Sequence, residues 1–191
     1  MIKLTIAKRI LPILLIFLLI IPMASAENVT IKGVDFEIPS QYEHGTLKES
    51  SYVYQSGLTF RILSLDYDKN LKINYGDDII NANSAEYANI AGHDAVVIYK
   101  TYESKDYTTV YFATGNTIFL ICFNDTYVND DITNLIAGTP AQTMSTDEFS
   151  SKLNEALNDY KDQLAQEEAQ IEYEEYQKSS RPTHRYFFFW L

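Results

Sequence analysis

Between residues 85 and 123 the chain alternates short runs of β-branched and aromatic residues with glycine-bearing turns, and this stretch constrains the fold more than any other feature. The segments 87–91 and 95–102 flank Gly92-His93-Asp94, while 107–113 and 117–123 flank Gly115-Asn116. Each pair reads as an antiparallel hairpin. Hairpins in succession predict a twisted meander with one face to be covered. Residues 29–38 (VTIKGVDFEI) read as a half-buried strand with Val34, Phe36 and Ile38 on one face, closed by Pro39. Further strands are expected at 51–55 and, past Gly57, at 58–65. The stretch 66–83 is polar and turn-rich, with a short helix expected after Asp77.

The expected cover is helical. A short helix at 130–136 is stopped by Gly138 and Pro140. Ser145 and Glu148 then form a capping box, in which each side chain answers the other's free backbone N–H. The helix that follows can run to about Lys178 without meeting a glycine or proline. Phe149, Leu153, Leu157, Tyr160, Leu164 and Ile171 recur along it at three-, four- and seven-residue steps, a packing stripe that thins toward the C-terminus. Ten acids against Lys152 and Lys161 fill 147–177, so the first half should pack on the sheet and the second face solvent or a partner. The expected fold class is α+β: a twisted antiparallel meander sheet covered by helices, with a long C-terminal helix. Its core should hold Phe36, Phe60, Ile98, Phe112, Phe119 and Leu153.

The first 26 residues have the three parts of an export signal. Lys3, Lys8 and Arg9 are the basic start, 10–23 (ILPILLIFLLIIPM) is the apolar centre, and Ala24-Ser25-Ala26 is the small-x-small cleavage pattern. That centre has 14 residues, against the roughly 20 that an anchoring helix needs. The mature chain should therefore start at Glu27 and act as a secreted or cell-surface protein. Mass spectrometry of the native protein should find that N-terminus, and an intact segment 1–26 in the membrane fraction would defeat the expectation. Cleavage takes three basic residues and no acid from a chain with 15 Lys+Arg and 26 Asp+Glu, leaving a net charge of −14. Such a surface repels nucleic acid and anionic lipid, which are held through clustered Lys and Arg. The remaining divisions are a sheet domain with short helices at 27–144, the acidic helix at 145–178, and a polar break with an aromatic tail at 179–191.

No Gly-x-Ser-x-Gly elbow, phosphate-cradling glycine loop or His-Glu-x-x-His helix is present in the sequence. The single cysteine, Cys122, lies in an apolar run and reads as a buried small hydrophobe. Asp66, Asp68, Asn70, Asn74 and Asp77 fall at calcium-loop spacing, with Ile73 at the eighth place. Leu71 replaces the turn glycine and Asp77 the longer bidentate glutamate, so a polar connector is the favoured reading and tight calcium binding is not expected. His93 and Asp94 read as the polar tip of a tight turn, since adjacent strand side chains point to opposite faces. His44 and His184 are isolated, and no cofactor is expected. Asn28 and Asn124 head glycosylation sequons. The strand tyrosines Tyr52, Tyr54, Tyr99, Tyr102, Tyr107 and Tyr111 read as core and cross-strand pairs, with a carbohydrate-stacking face as the alternative. The closing run Tyr186, Phe187, Phe188, Phe189, Trp190 and Leu191 is too short to span a bilayer. It reads equally as a plug on the core or as a contact for a membrane interface or partner.

Gly33-Val34-Asp35-Phe36-Glu37-Ile38-Pro39, Ile90-Ala91-Gly92-His93-Asp94-Ala95, Tyr111-Phe112 with Gly115-Asn116, and Phe149 with Leu153 and Tyr160 carry a resemblance. Over about residues 28–165 the chain resembles small exported archaeal proteins of unknown function. More distantly it is similar to the extrinsic lumenal proteins of photosystem II, which have an α-β-α sandwich. The resemblance implies an exported accessory or binding domain and transfers no functional residue. The expected function is a non-catalytic surface or extracytoplasmic interaction module for a protein or cell-envelope component. The alternative is a cell-surface hydrolase or metal-dependent enzyme.

Overall fold

A computed structural model describes residues 26–65 and 70–179. The fold is α+β, built on a large antiparallel sheet. Its strands are β3 (Thr46–Lys48), β4 (Ser51–Tyr54), β5 (Phe60–Leu65), β6 (Ser84–Ile90), β7 (His93–Tyr102), β8 (Lys105–Thr114) and β9 (Thr117–Phe123). They lie in the order β3-β4-β5-β9-β8-β7-β6, every neighbour antiparallel. Two hairpin systems thus meet where β5 pairs with β9, in a register that sets Arg61 opposite Cys122 and Leu63 opposite Leu120.

Both faces of the sheet are covered, which corrects the expectation of a single covered face. On one face lie Phe60, Ile62, Val97, Val110, Phe112, Phe119 and Ile121, all buried. They are roofed by a hairpin of β1 (Glu27–Ile31) and β2 (Val34–Ile38) and by helix α2 (Asp130–Ala137), through Ile31, Phe36, Ile38, Ile132 and Ile136. The other face presents Val96, Ile98, Tyr111, Ala113, Leu120 and Cys122 to helices α1 (Lys72–Ile80) and α3 (Thr146–Ser179). Neighbouring residues of one strand point to opposite faces, so a strand between two covers must be apolar at every position. That is why β9 reads TIFLICF. All six expected core residues are inside: Phe36 of the hairpin clusters with Phe60, Phe112 and Phe119 of the sheet, and Leu153 of α3 clusters with Ile98 on the other face, with none more than 1% exposed.

Two local expectations are corrected. The stretch 29–38 is a hairpin, not one strand, with Ile31 opposite Val34 across Lys32-Gly33. Its apolar phase slips from 29 and 31 to 34, 36 and 38, a slip that a two-residue turn absorbs while keeping both strands' apolar sides on the core. The helix expected after Asp77 already begins at Lys72. Leu71, Tyr75 and Asp78 are buried at helical spacing, and Gly76 lies so close to α3 that a methyl group there would overlap the Tyr160 ring.

The helix starts follow the sequence in part: of the expected capping box only the Ser145 side-chain half forms, and Glu148 pairs with Lys152 at 2.8 Å in place of the Ser145 N–H. The Asn129 side chain accepts from the Ile132 N–H at 3.1 Å to cap α2, and Ser145 Oγ accepts from the Glu148 N–H at 3.2 Å at the start of α3. The linker between them rounds the β8–β9 turn, where the Gly115 carbonyl accepts from Thr143 and Met144. Phe149, Leu153 and Ala156 of α3 are buried, whereas every residue from 165 to 179 is exposed.

Candidate functional site

The face under α1 and α3 is apolar at one end and polar at the other. Toward the polar end, Arg61, Cys122 and Thr109 follow one another across β5, β9 and β8. One step further out Lys100 stands opposite Tyr107 across β7 and β8. Arg61, Cys122, Lys100 and Tyr107 floor a cavity of about 650 Å³ whose walls are α1, through Ile73, Asp77 and Asp78, and Tyr160 of α3. Small-molecule sites typically occupy about 300–1,000 Å³.

Two of its charges neutralise each other. Asp78 is 4% exposed; its Oδ1 accepts from Lys100 Nζ, and its Oδ2 accepts from the Tyr111 hydroxyl at 2.6 Å. The other two do not. Arg61 makes no ion pair among the described residues, and its Nε is shut from solvent without a hydrogen-bond partner. Asp77 accepts from the neutral Asn81 amide at 3.0 Å and likewise has no ion pair.

Burial sets the acid–base character of the floor. It pushes the Tyr111 hydroxyl well above the ordinary 10.0, helped by the Asp78 carboxylate and opposed by Arg61. Tyr75, whose ring meets Tyr111 edge-on at 5.0 Å, is raised by burial and then by Tyr87. The Cys122 thiol is also pushed up by burial, against the pull of Arg61. A thiol held protonated is a poor nucleophile. Tyr42, Tyr52 and Tyr99 are raised too, each chiefly by burial. A group that keeps its proton longer when folded stabilises the fold below its unfolded value and gives that stability up as pH rises beyond it. Stability should therefore hold up to about pH 10 on account of these tyrosines and fall above it. Ultraviolet titration should show a subset of tyrosines ionising only as the near-ultraviolet circular dichroism collapses. Uniform, reversible ionisation of all fifteen with that signal intact would disprove the burial.

The residues singled out from sequence are scattered. Asn70, Asn74 and Asp77 lie along one helical stretch, where the Asn74 amide donates to the Asn70 carbonyl at 2.7 Å. Asp66 and Asp68 are outside the described residues. No group of three or more His, Cys, Asp or Glu placed to hold a metal occurs among the described residues. His93 is not a polar turn tip: Ala91 and Gly92 make the turn at φ 52° and 91°, and His93, 3% exposed, starts β7. Its Nδ1 lies 2.7 Å from the Ala113 carbonyl and its ring contacts Phe112, on the face opposite the cavity. Asp94 accepts from the Gln142 amide at 2.7 Å. His44 is an exposed loop residue, its N–H donating to Glu27. Asn28 and Asn124 are exposed. The tyrosines divide, with Tyr52, Tyr107 and Tyr111 buried, Tyr54 and Tyr99 half-buried and Tyr102 57% exposed. His184 and the run Tyr186, Phe187, Phe188, Phe189, Trp190 and Leu191 lie outside the described residues. No described helix is long and apolar enough to cross a membrane.

Asn74, Asp77, Tyr107 and Cys122, which the sequence singles out for other reasons, line this cavity, whereas its other charged residues, Arg61, Asp78 and Lys100, carry no motif. Arg61 sits in LTFRILSL and Lys100 in AVVIYKTY, and a lone cation inside an apolar strand was the available signal.

No protein-family model matches the chain, and no curated protein matches it. A crystal structure from Bacteroides thetaiotaomicron VPI-5482 is similar at 17% identity and a TM-score of 0.39, over 62% of this chain and 49% of that one. The matched region spans about half the length of that protein, and nothing about this chain's fold or function follows from the likeness.

Proposed function

We propose that this chain is a non-catalytic binding and interaction module that works outside the cytoplasmic membrane. The cavity supports the binding role, and one observation carries it: Arg61 lines an open pocket of ligand size with its charge unanswered by any described residue. The groups that an enzyme reading would recruit lie apart, with His93 across the sheet and the Cys122 thiol held protonated by its burial. The exported setting rests on the signal pattern of residues 1–26. An interaction role draws on α3, whose acidic second half exposes Ile171, Tyr173 and Tyr176 at 59%, 59% and 67%.

The reading is tested on protein isolated from its own cells. Native mass spectrometry should detect a small molecule retained by the wild-type chain and lost from Arg61→Gln. Ligand-free wild-type protein whose Tyr107 resonances ignore the small-molecule fraction of the same cells would sink it.

A further inference from the structure

We propose that the cavity takes a small zwitterion of the amino-acid class, its carboxylate on Arg61 and its ammonium on Asp77. This inference rests on the binding role proposed above and specifies what is bound. Lys100 and Asp78 cancel within the site, being paired directly. What remains is one guanidinium and one carboxylate, lining the same cavity with no ion pair to each other or to any described residue. A simple anion satisfies Arg61 but must sit in the field of Asp77 and Asp78. A dianion such as phosphate is disfavoured further, because the four charges of the wall sum to zero. A cation meets the opposite difficulty at Arg61 and Lys100. A molecule carrying both charges answers both residues at once.

The rest of the wall fits the same class. Guanidinium takes a carboxylate through two parallel N–H donors, a geometry that an ammonium at that position cannot offer. Asp77 has acceptor capacity beyond the one bond from Asn81, enough for an ammonium's donors. Leu58, Ile73 and the Tyr107 and Tyr160 rings supply apolar surface for a side chain. The Lys100–Asp78–Tyr111 set holds the floor in place and is a positioning device, not a ligand contact.

The mature chain should first be titrated calorimetrically with each of the common L-amino acids, and at least one should bind. Two analogues of the best binder then dissect the charges: its N-acetyl derivative keeps only the carboxylate, and its amide keeps only the ammonium. Each should bind roughly 10- to 100-fold more weakly, the usual worth of a lost charge-assisted contact. Asp77→Asn should erase the preference over the N-acetyl form and keep that over the amide, while Arg61→Gln should do the reverse. Binding of none of the amino acids, or equal binding of the N-acetyl form, overturns the proposal in the wild-type chain whatever the variants do. Tighter binding of inorganic phosphate overturns it as well. Should the zwitterions fail while native protein still carries another small molecule lost in Arg61→Gln, the binding role stands and only the ligand class falls.

Discussion

Phe119→Ala should lower stability by about 3–5 kcal/mol, the usual cost of truncating a buried phenylalanine. Phe119 is fully buried at the centre of the sheet, paired across strands with Phe112 on β8 and Ser64 on β5. Its ring lies 5.2 Å from Phe36 of the β1–β2 hairpin and 6.1 Å from Phe112. Truncation removes transfer energy, both ring contacts and the filling between sheet and hairpin, and a backbone hydrogen-bonded on both sides cannot close the gap. Domains have only about 5–15 kcal/mol in total, and each kcal/mol moves the melting point of a chain this size by about 2–4 °C. Calorimetry should therefore show a fall on the order of 10 °C, with Phe119→Leu much milder. A Phe119→Ala protein melting with the wild type would mean that the hairpin does not pack on that face.

That double cover was legible in part. The hairpins within 87–123, the short helix at 130–136, the helix start at Ser145 and the six core residues all follow from local pattern, because turn chemistry and apolar spacing act over a few residues. The two-sided burial was also written locally, in TIFLICF, which has no polar face at all. The alternation of the neighbouring segments masks it. The phase slip at Lys32-Gly33 was likewise present, masked by a run of ten residues that reads as one strand when only its second half is weighed.

The site was not legible, for a topological reason. Its floor exists because β5 pairs with β9, so that Arg61 meets Cys122 across 60 intervening residues, and because β7 brings Lys100 under α1. Nothing within a strand states which strand will lie beside it. The isolated cations in β5 and β7 signal that something unusual faces that side, but not that Asp78 answers one and leaves the other without an ion pair among the described residues. The residues that drew attention in the sequence did so by spacing in a single segment, and the fold assembles its polar cluster from four.

Asp78→Ala should cost about 3–5 kcal/mol, the range for removing one partner from a buried ion pair. Asp78 answers two groups at once. Without it the Lys100 ammonium keeps its charge in a side chain only 21% exposed, and the fully buried Tyr111 hydroxyl loses its acceptor. Lys100 is held on β7 by its pairing with Tyr107 of β8, and Tyr111 is walled in by Tyr75 and the helices. Asp78→Asn keeps an acceptor oxygen for one of the two and should lose only about half as much. The partners should be strongly coupled, so Asp78→Ala made on a Lys100→Met, Tyr111→Phe background should cost far less than in the wild type. Chemical denaturation of the set measures this directly. If Asp78→Ala is as costly with both partners removed as with both present, the carboxylate stabilises α1 by some other route, and Lys100 is not held by it. Arg61 would then no longer be the one cation of the cavity without an ion pair among the described residues, and the charge balance that selects a zwitterion would have to be drawn again.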